Sequence, residues 1–249
     1  MESTINTGTE DASQAVAEAK PSSRNIYTYR KDNLIKEGDL VIVYESADNM
    51  KQIIMKRGEK LQNKFGCYDH NEIIDKCEYG SKIFSKNMMG YVHFLRLTSV
   101  MHTTSLAQRT QILYTPDISQ VIFRLELKPG MRVVESGTGS GSLSTSIIRT
   151  IFPTGHLFTY EFNAVRAERA RDDFTKLGFM ESSLVTVTHR DVLSNGFLLN
   201  NELDGTTMVG ENSVDAVFLD LPSPQDAVKH AYQVLRKQGR LCNFSPCIE

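Results

Sequence analysis

No run of about 18 apolar residues occurs in this chain of 249, so no segment reads as a membrane-spanning helix. Met1-Glu2-Ser3-Thr4 carries neither a cationic start nor an apolar run, so no secretory leader is expected. None of the four cysteines, Cys67, Cys77, Cys242 and Cys247, forms a C-x-x-C pair, which argues against a zinc site or any other metal. They read as reduced thiols of a cytosolic or nuclear protein. The chain also lacks a strong charge of one sign. Its net charge of −2 does not announce a nucleic-acid binder.

The charge distribution says more than the sum. Lys51, Lys56, Arg57, Lys60 and Lys64 face Glu59 alone over Lys51 to Lys64, whereas Asp191 to Asp226 holds seven acids and no Lys or Arg. The basic stretch reads either as a phosphate contact or as a solvated hairpin. Residues 1–30 are small and polar and read as a disordered tail. Residues 31–105 have β texture. Strand candidates are Asp39 to Glu45, Gln52 to Lys56, Phe65 to Tyr68, Ile83 to Ser85 and Tyr91 to Leu97, punctuated by glycines. That pattern suggests a small barrel or sandwich, either a docking module or a structural cap on the next domain.

Residues 106–249 change period. Gln108 to Tyr114 reads as a linker, and Thr115-Pro116-Asp117 as a helix start with Thr115 as its cap. After Pro129-Gly130, Met131 to Val134 is apolar and β-branched, as a central parallel strand should be. Glu135-Ser136-Gly137-Thr138-Gly139-Ser140-Gly141-Ser142 then makes a glycine-rich turn into a helix carrying Leu143, Ile147, Ile148 and Ile151. Further strands are expected at His156 to Phe162, Leu184 to Thr188, Val214 to Leu219 and Arg240 to Phe244. Helices are expected from Asn163 to Leu177 and from Pro224 to a stop at Gly239, and a polar loop from Ser194 to Asn212. Alternating strands and helices imply an α/β fold, a doubly wound and mostly parallel sheet.

The turn separates two cofactor classes. A dinucleotide site wants G-x-G-x-x-G, with a pyrophosphate on the helix N-terminus. Here the sixth position is Ser142, and an acid, Glu135, lies inside the motif. Negative charge suits the cationic sulfonium of S-adenosylmethionine (SAM) better than a pyrophosphate. A dinucleotide or a plain tight turn are the other readings. Four acids fall at the carboxyl ends of the strands, where such sheets bind ligands: Glu135, Glu161, Asp191 and Asp220. Glu161, at the end of the second strand, is placed to take ribose hydroxyls, and Asp191 to accept from an adenine amine. Asp220-Leu221-Pro222-Ser223-Pro224 holds an acid on a stiff platform, suited to positioning for methyl transfer. Gln111 to Tyr114 is expected near the cofactor.

These residues carry a resemblance. The matching segments are Arg109-Thr110-Gln111-Ile112-Leu113-Tyr114, the glycine turn, Pro153-Thr154-Gly155-His156-Leu157, Glu161-Phe162, Asp220 to Pro224 and Phe244-Ser245-Pro246-Cys247. Over about residues 34–249 the chain resembles the catalytic subunits of tRNA (adenine-N1)-methyltransferases that act at position 58. The resemblance implies a class I SAM-dependent methyltransferase fold with a small N-terminal β domain. It implies Leu113, Ser140, Gly141, Ser142, Glu161, Arg166, Asp191, Val192 and Asp220 around SAM, to which the linker and the turn add Gln111, Glu135, Gly137 and Gly139. Asp220 is also implied as the catalytic residue, with Tyr114, Leu221, Pro222, Ser245 and Pro246 at the target base. The implied partners are tRNA and a related non-catalytic subunit, in a nuclear heterotetramer. The family continues through further strands, so the chain reads as truncated after Glu249.

Overall fold

The computed structural model describes residues 30–106 and 112–245. The expected tail up to residue 29, the linker residues 108–111 and the segment 246–249 lie outside the described residues, and with them Gln111 and Pro246. Arg30, read as tail, forms an ion pair with Asp39 at 2.7 Å.

The first part holds β1 (Leu40–Ser46), β2 (Asn49–Ile54), β3 (Lys60–Asn63), β4 (Gly66–Asp69), α1 (His70–Ile73), β5 (Lys82–Phe84), β6 (Tyr91–Arg96) and α2 (Ser99–Ser105). Of the barrel or sandwich expectation, no closed barrel is seen among the described residues, while two antiparallel sheets do share one core. One antiparallel sheet has the order β2-β1-β6-β5, and β3-β4 is a separate two-stranded ribbon. Alternation along β1 explains its two-sided burial. Val41 and Val43 join Tyr68, Val92 and Phe94 in a local core, while Ile42, facing the other way, joins the larger core of the second part. Short α1 and α2 were not visible as apolar periods. Thr98 caps α2, its hydroxyl accepting from the Met101 amide at 3.2 Å.

The basic stretch does not stand alone in space. Lys56 pairs with Glu59, Arg57 with Glu37 and Asp75, and Lys64 with Glu45. Three acids distant in sequence therefore meet the charge that the linear reading left free. This favours the solvated hairpin over a phosphate contact.

The second part contains α3 (Thr115–Arg124), β7 (Arg132–Ser136), α4 (Ser142–Ile151), β8 (His156–Glu161), α5 (Ala164–Lys176), β9 (Val185–His189), α6 (Val192–Asn195), β10 (Leu199–Asn200), β11 (Thr207–Val209), β12 (Val214–Leu219), α7 (Pro224–Val234) and β13 (Leu235–Asn243). Five strands form a parallel sheet in the order β13-β12-β7-β8-β9. Successive residues serve opposite faces: Val133 packs with α3, α4 and α5, and Val134 with α6 and α7. The sheet is therefore covered on both sides, as its apolar strands require.

Three local expectations are corrected. Tyr114, not Thr115, caps α3, with extended backbone and Pro116 in the first turn. Within the expected polar loop, Leu199–Asn200 and Thr207–Val209 pair as a small hairpin. Gly239 does not close the last helix. Leu235 is already extended, and Arg236 to Gly239 loop out, because Val214 pairs with Leu235 but Ala216 pairs with Arg240. Gln238 takes a left-handed φ of 64° within that excursion.

Between α4 and β8 the chain passes too close for a side chain. A Cβ on Gly155 would lie 2.6 Å from the Ile151 carbonyl oxygen and 2.7 Å from that of Met131. Gly155→Ala is expected to cost about 3 kcal/mol, lowering Tm by roughly 6–12 °C. Calorimetry of the variant checks this, and an unchanged Tm would mean that the turn relaxes freely.

Candidate active site

The site begins where β7 and β12 end side by side. The Asp220 amide donates to the Ser136 carbonyl at 2.9 Å, tying the two carboxyl ends together. The next residue, Gly137, has φ +93°, and a Cβ there would sit 2.4 Å from the Asp220 carbonyl oxygen. Only glycine satisfies both demands. The turn continues to Gly141, which caps α4 and whose Cα faces the Phe174 ring. Gly141 thus serves packing behind the turn.

Around this turn lies a cavity of about 560 Å³, a volume suited to a small-molecule ligand. Leu113, Glu135, Gly137, Gly139, Ser140, Ser142, Glu161, Arg166, Asp191, Val192, Asp220, Leu221 and Pro222 all line it. Gly141 does not, nor does the half-exposed Tyr114 or the exposed Ser245 beyond β13. Ile112, Ser136, Thr138, Leu143, Phe162, Arg190, Leu193 and Phe218 line it without having been singled out. Most adjoin a motif residue. Apart from Arg190, whose guanidinium donates to the Leu198 carbonyl, their apolar or hydroxyl side chains carried no chemical signal of their own.

The four acids differ sharply in state. Glu161 is buried, with one oxygen saturated and the other holding a single protein donor. One oxygen accepts from the Gly139 amide at 3.0 Å. The other accepts from the Asn163 amide at 3.0 Å and from both Nε and a terminal nitrogen of Arg166, at 2.9 and 2.6 Å. It thereby ties β8, α5 and the turn into one unit. Asp191 caps α6, accepting from the Leu193 amide at 3.0 Å and the Ser194 hydroxyl at 2.8 Å, and the Ser194 bond in particular lowers its pKa. Its acceptor capacity is shared with that cap, which narrows the role expected for it toward an adenine amine.

Glu135 is buried beneath the turn and accepts from the Ser144 hydroxyl at 2.6 Å. Burial pushes its pKa up to about 7. Hydrogen bonds from Ser144 and Thr159 oppose that rise, and the nearby charges of Asp220 and Glu161 add to it. The full negative charge expected here is therefore only partly present near neutrality. Asp220 is different again. Among the described residues none donates to its carboxylate, and burial alone raises its pKa.

These features fit an adenosine-like ligand with a cationic centre. A buried carboxylate stands at the end of β8, apolar side chains from Ile112, Leu113, Val192 and Leu193 flank it, and Asp220 and Glu135 supply negative potential.

The raised Glu135 pKa has a stability consequence with a definite sign. Its contribution is fully present below the unfolded value of about 4.5 and is lost as pH rises through about 7, a change of at most about 3 kcal/mol. Glu135→Gln has no proton to lose there. Relative to the parent, the ligand-free variant is expected to gain stability between about pH 5 and about pH 8. Urea titrations at both pH values check this; a pH-independent difference would exclude it.

Comparison with known proteins agrees with this geometry. Residues 90–249 match the family model described as tRNA methyltransferase complex GCD14 subunit. The tRNA (adenine(58)-N(1))-methyltransferase catalytic subunit of Dictyostelium discoideum is 49% identical over 218 residues, covering 88% of this chain and 67% of that protein. Its counterpart in Kluyveromyces lactis is 43% identical over 229 residues, covering 86% of this chain and 55% of that protein. The chain thus spans between about half and two-thirds of the length of these curated relatives. Among solved structures, a SAM-dependent O-methyltransferase from Thermotoga maritima superposes with a TM-score of 0.71 at 28% identity, covering 87% of this chain and 75% of that one. The tRNA (m1A58) methyltransferase TrmI from Aquifex aeolicus superposes with a TM-score of 0.65 at 22% identity, covering 87% and 78%, a likeness of fold. With a doubly wound parallel sheet, a glycine turn closed over an acid-lined cavity and relatives near half identity, the chain belongs to the tRNA methyltransferase complex GCD14 subunit family.

Proposed function

We propose that this chain transfers a methyl group from SAM to N1 of adenine 58 in the T-loop of tRNA, as the catalytic subunit of a two-subunit complex. The observation that carries the reading is the Asp220 carboxylate. It faces the cavity at the end of β12, takes no donor among the described residues, and is backed by a strand end that Gly137 and Ser136 hold in place. A site acid with this freedom is available to a substrate.

The remaining roles in this reading are supported by the cavity lining. Glu161 takes the ribose hydroxyls, oriented by Gly139 and Arg166. Leu113 and Val192 flank the adenine of the cofactor, with Asp191 beside it. Gly137, Gly139, Ser140 and Ser142 line the turn around the rest. When bound, SAM supplies a methyl group on a positively charged sulfur. Adenine N1 carries a lone pair and no proton, so no strong base is needed for attack. The product ring is cationic. A fixed carboxylate at Asp220 stabilises that charge as it develops, more in the transition state than before it. Asp220 also accepts from the exocyclic amine and so orients the ring. Leu221 and Pro222 shape the entry for a base that has left its stack. A related non-catalytic subunit as partner and a nuclear setting belong to the same proposal.

The direct test is transfer of label from SAM to unmodified tRNA, with and without the partner subunit, followed by nucleoside analysis. Label in any nucleoside other than 1-methyladenosine would refute the reading. Two variants divide the roles. Asp220→Asn keeps the size and one acceptor but removes the charge, and is expected to slow single-turnover methylation about a hundredfold or more, with a smaller change in SAM affinity. Near-normal turnover would reduce Asp220 to a helix-start residue. Glu161→Ala removes charge-assisted bonds to the cofactor and the brace on Gly139, and is expected to cost roughly 2–4 kcal/mol of SAM affinity. Calorimetry measures it, and unchanged affinity would reassign the ribose site.

A further inference from the structure

The N-terminal sheet is linked to the cavity by buried and half-buried polar groups on both sides of α2. On β2, the Gln52 side-chain amide donates to the Ser105 hydroxyl at 2.8 Å and lies 3.2 Å from Nδ1 of His102. Burial lowers the His102 pKa to about 4, so its ring is neutral and Nδ1 accepts from Gln52. These bonds fix α2 on the sheet. From the other side, Arg149 of α4 donates to the Ser99 hydroxyl at 3.2 Å. Between them, the Thr103 hydroxyl lies 2.9 Å from that of Ser142, and Ser142 donates to the Leu113 carbonyl at 2.9 Å. Thr103, Ser142 and Leu113 are all buried, with exposures of 4%, 4% and 7%. Ser142 and Leu113 both line the cavity, and Thr103 does not.

Counting protons gives the chain a direction. Ser142 spends its single proton on the Leu113 carbonyl. The contact between the hydroxyls therefore needs the proton of Thr103, which also lies 3.1 Å from the Ser99 carbonyl. With that proton shared, Ser142 accepts from one side and donates to the other, and its rotamer is fixed. Without the Thr103 hydroxyl, the buried Ser142 loses its donor and the restraint on Leu113 weakens.

We infer that Thr103 is a positioning residue for the cofactor cavity, holding the Leu113 wall in place through Ser142. This rests on the SAM reading above and extends it. The N-terminal sheet and α2 then form part of the cofactor site, although among the described residues none before Ile112 lines the cavity.

The test uses the full chain with Thr103→Val, which keeps the shape and removes the hydroxyl, and Thr103→Ser, which keeps the hydroxyl. The valine variant is expected to raise the Kd and KM for SAM about tenfold, while turnover at saturating SAM stays within twofold. Serine is expected to restore SAM affinity to within twofold of the parent. In ligand-free protein, hydrogen exchange in the peptide carrying Leu113 is expected to quicken about tenfold in the valine variant and not in the serine one. Parental SAM affinity in a folded Thr103→Val protein would overturn the inference, as would a serine variant that behaves like valine. Failure of the parent to bind SAM would refute the methyltransferase reading instead. The exchange measurement would then decide the positioning role alone, with unchanged exchange in the valine variant overturning it.

Discussion

Everything at this site depends on how closely the ends of β7 and β12 approach. The Asp220 amide reaches the Ser136 carbonyl, and the Asp220 carbonyl passes where a Gly137 side chain would stand. Two neighbouring strands of a parallel sheet are held at a fixed spacing by their ladder, so this contact inherits the rigidity of the sheet core. Ala216, Val217, Phe218 and Leu219 of β12 lie in register with Val133, Val134, Glu135 and Ser136 of β7, and the apolar members are fully buried on one face or the other. The glycine turn and the acid of Asp-x-Pro-Ser-Pro are therefore a single device. Their relative position is set by strand pairing, with no flexible loop between them.

A second consequence concerns charge. Four carboxyl groups line one cavity, an arrangement that would repel itself if all were ionised and unscreened. The structure distributes the difficulty. Glu161 is neutralised locally by Arg166 and two amides, and Asp191 is shielded by its own helix cap. Glu135 answers by holding its proton to about pH 7, and Asp220 is left with the unshared negative charge. A cation entering the cavity would meet the unshared charge of Asp220 and favour ionisation of Glu135, so the ligand-free site suits a positive guest better than a pyrophosphate.

Much of this was legible in the sequence, and the exceptions have physical causes. The parallel sheet could be read because its strands are buried on both faces and are therefore continuous apolar runs, as in Val214 to Leu219. The glycine turn, Glu161 and Asp220 could be read because strand ends are fixed points in such a fold. What escaped was set by partners remote in sequence. The charge of Arg57 is met by Glu37 and Asp75, and that of Lys64 by Glu45, so the apparent basic patch dissolves on folding. The state of Glu135 depends on depth of burial, which no motif encodes. Helix α2 is too short to declare a period, and its polar residues look like loop until Ser142 and Gln52 are seen to bond them. The excursion at Arg236 to Gly239 follows from pairing register with β12, where the local sequence favoured a longer helix.

The pairing of the basic stretch bears on recognition of a polyanion. An ion-paired lysine on the surface keeps its charge, but the carboxylate beside it lowers the local positive potential that a phosphate would meet. Only Lys51 and Lys60 in that stretch form no ion pair among the described residues, and two isolated lysines form no continuous track for a phosphate backbone. At the cavity, Arg166 is paired with Glu161, and no Lys or Arg occurs between Asp191 and Asp226. If the substrate is an RNA, its backbone is held mainly by surface outside these residues, while the cavity reads one base. That division would separate affinity for the backbone from the chemistry proposed for Asp220.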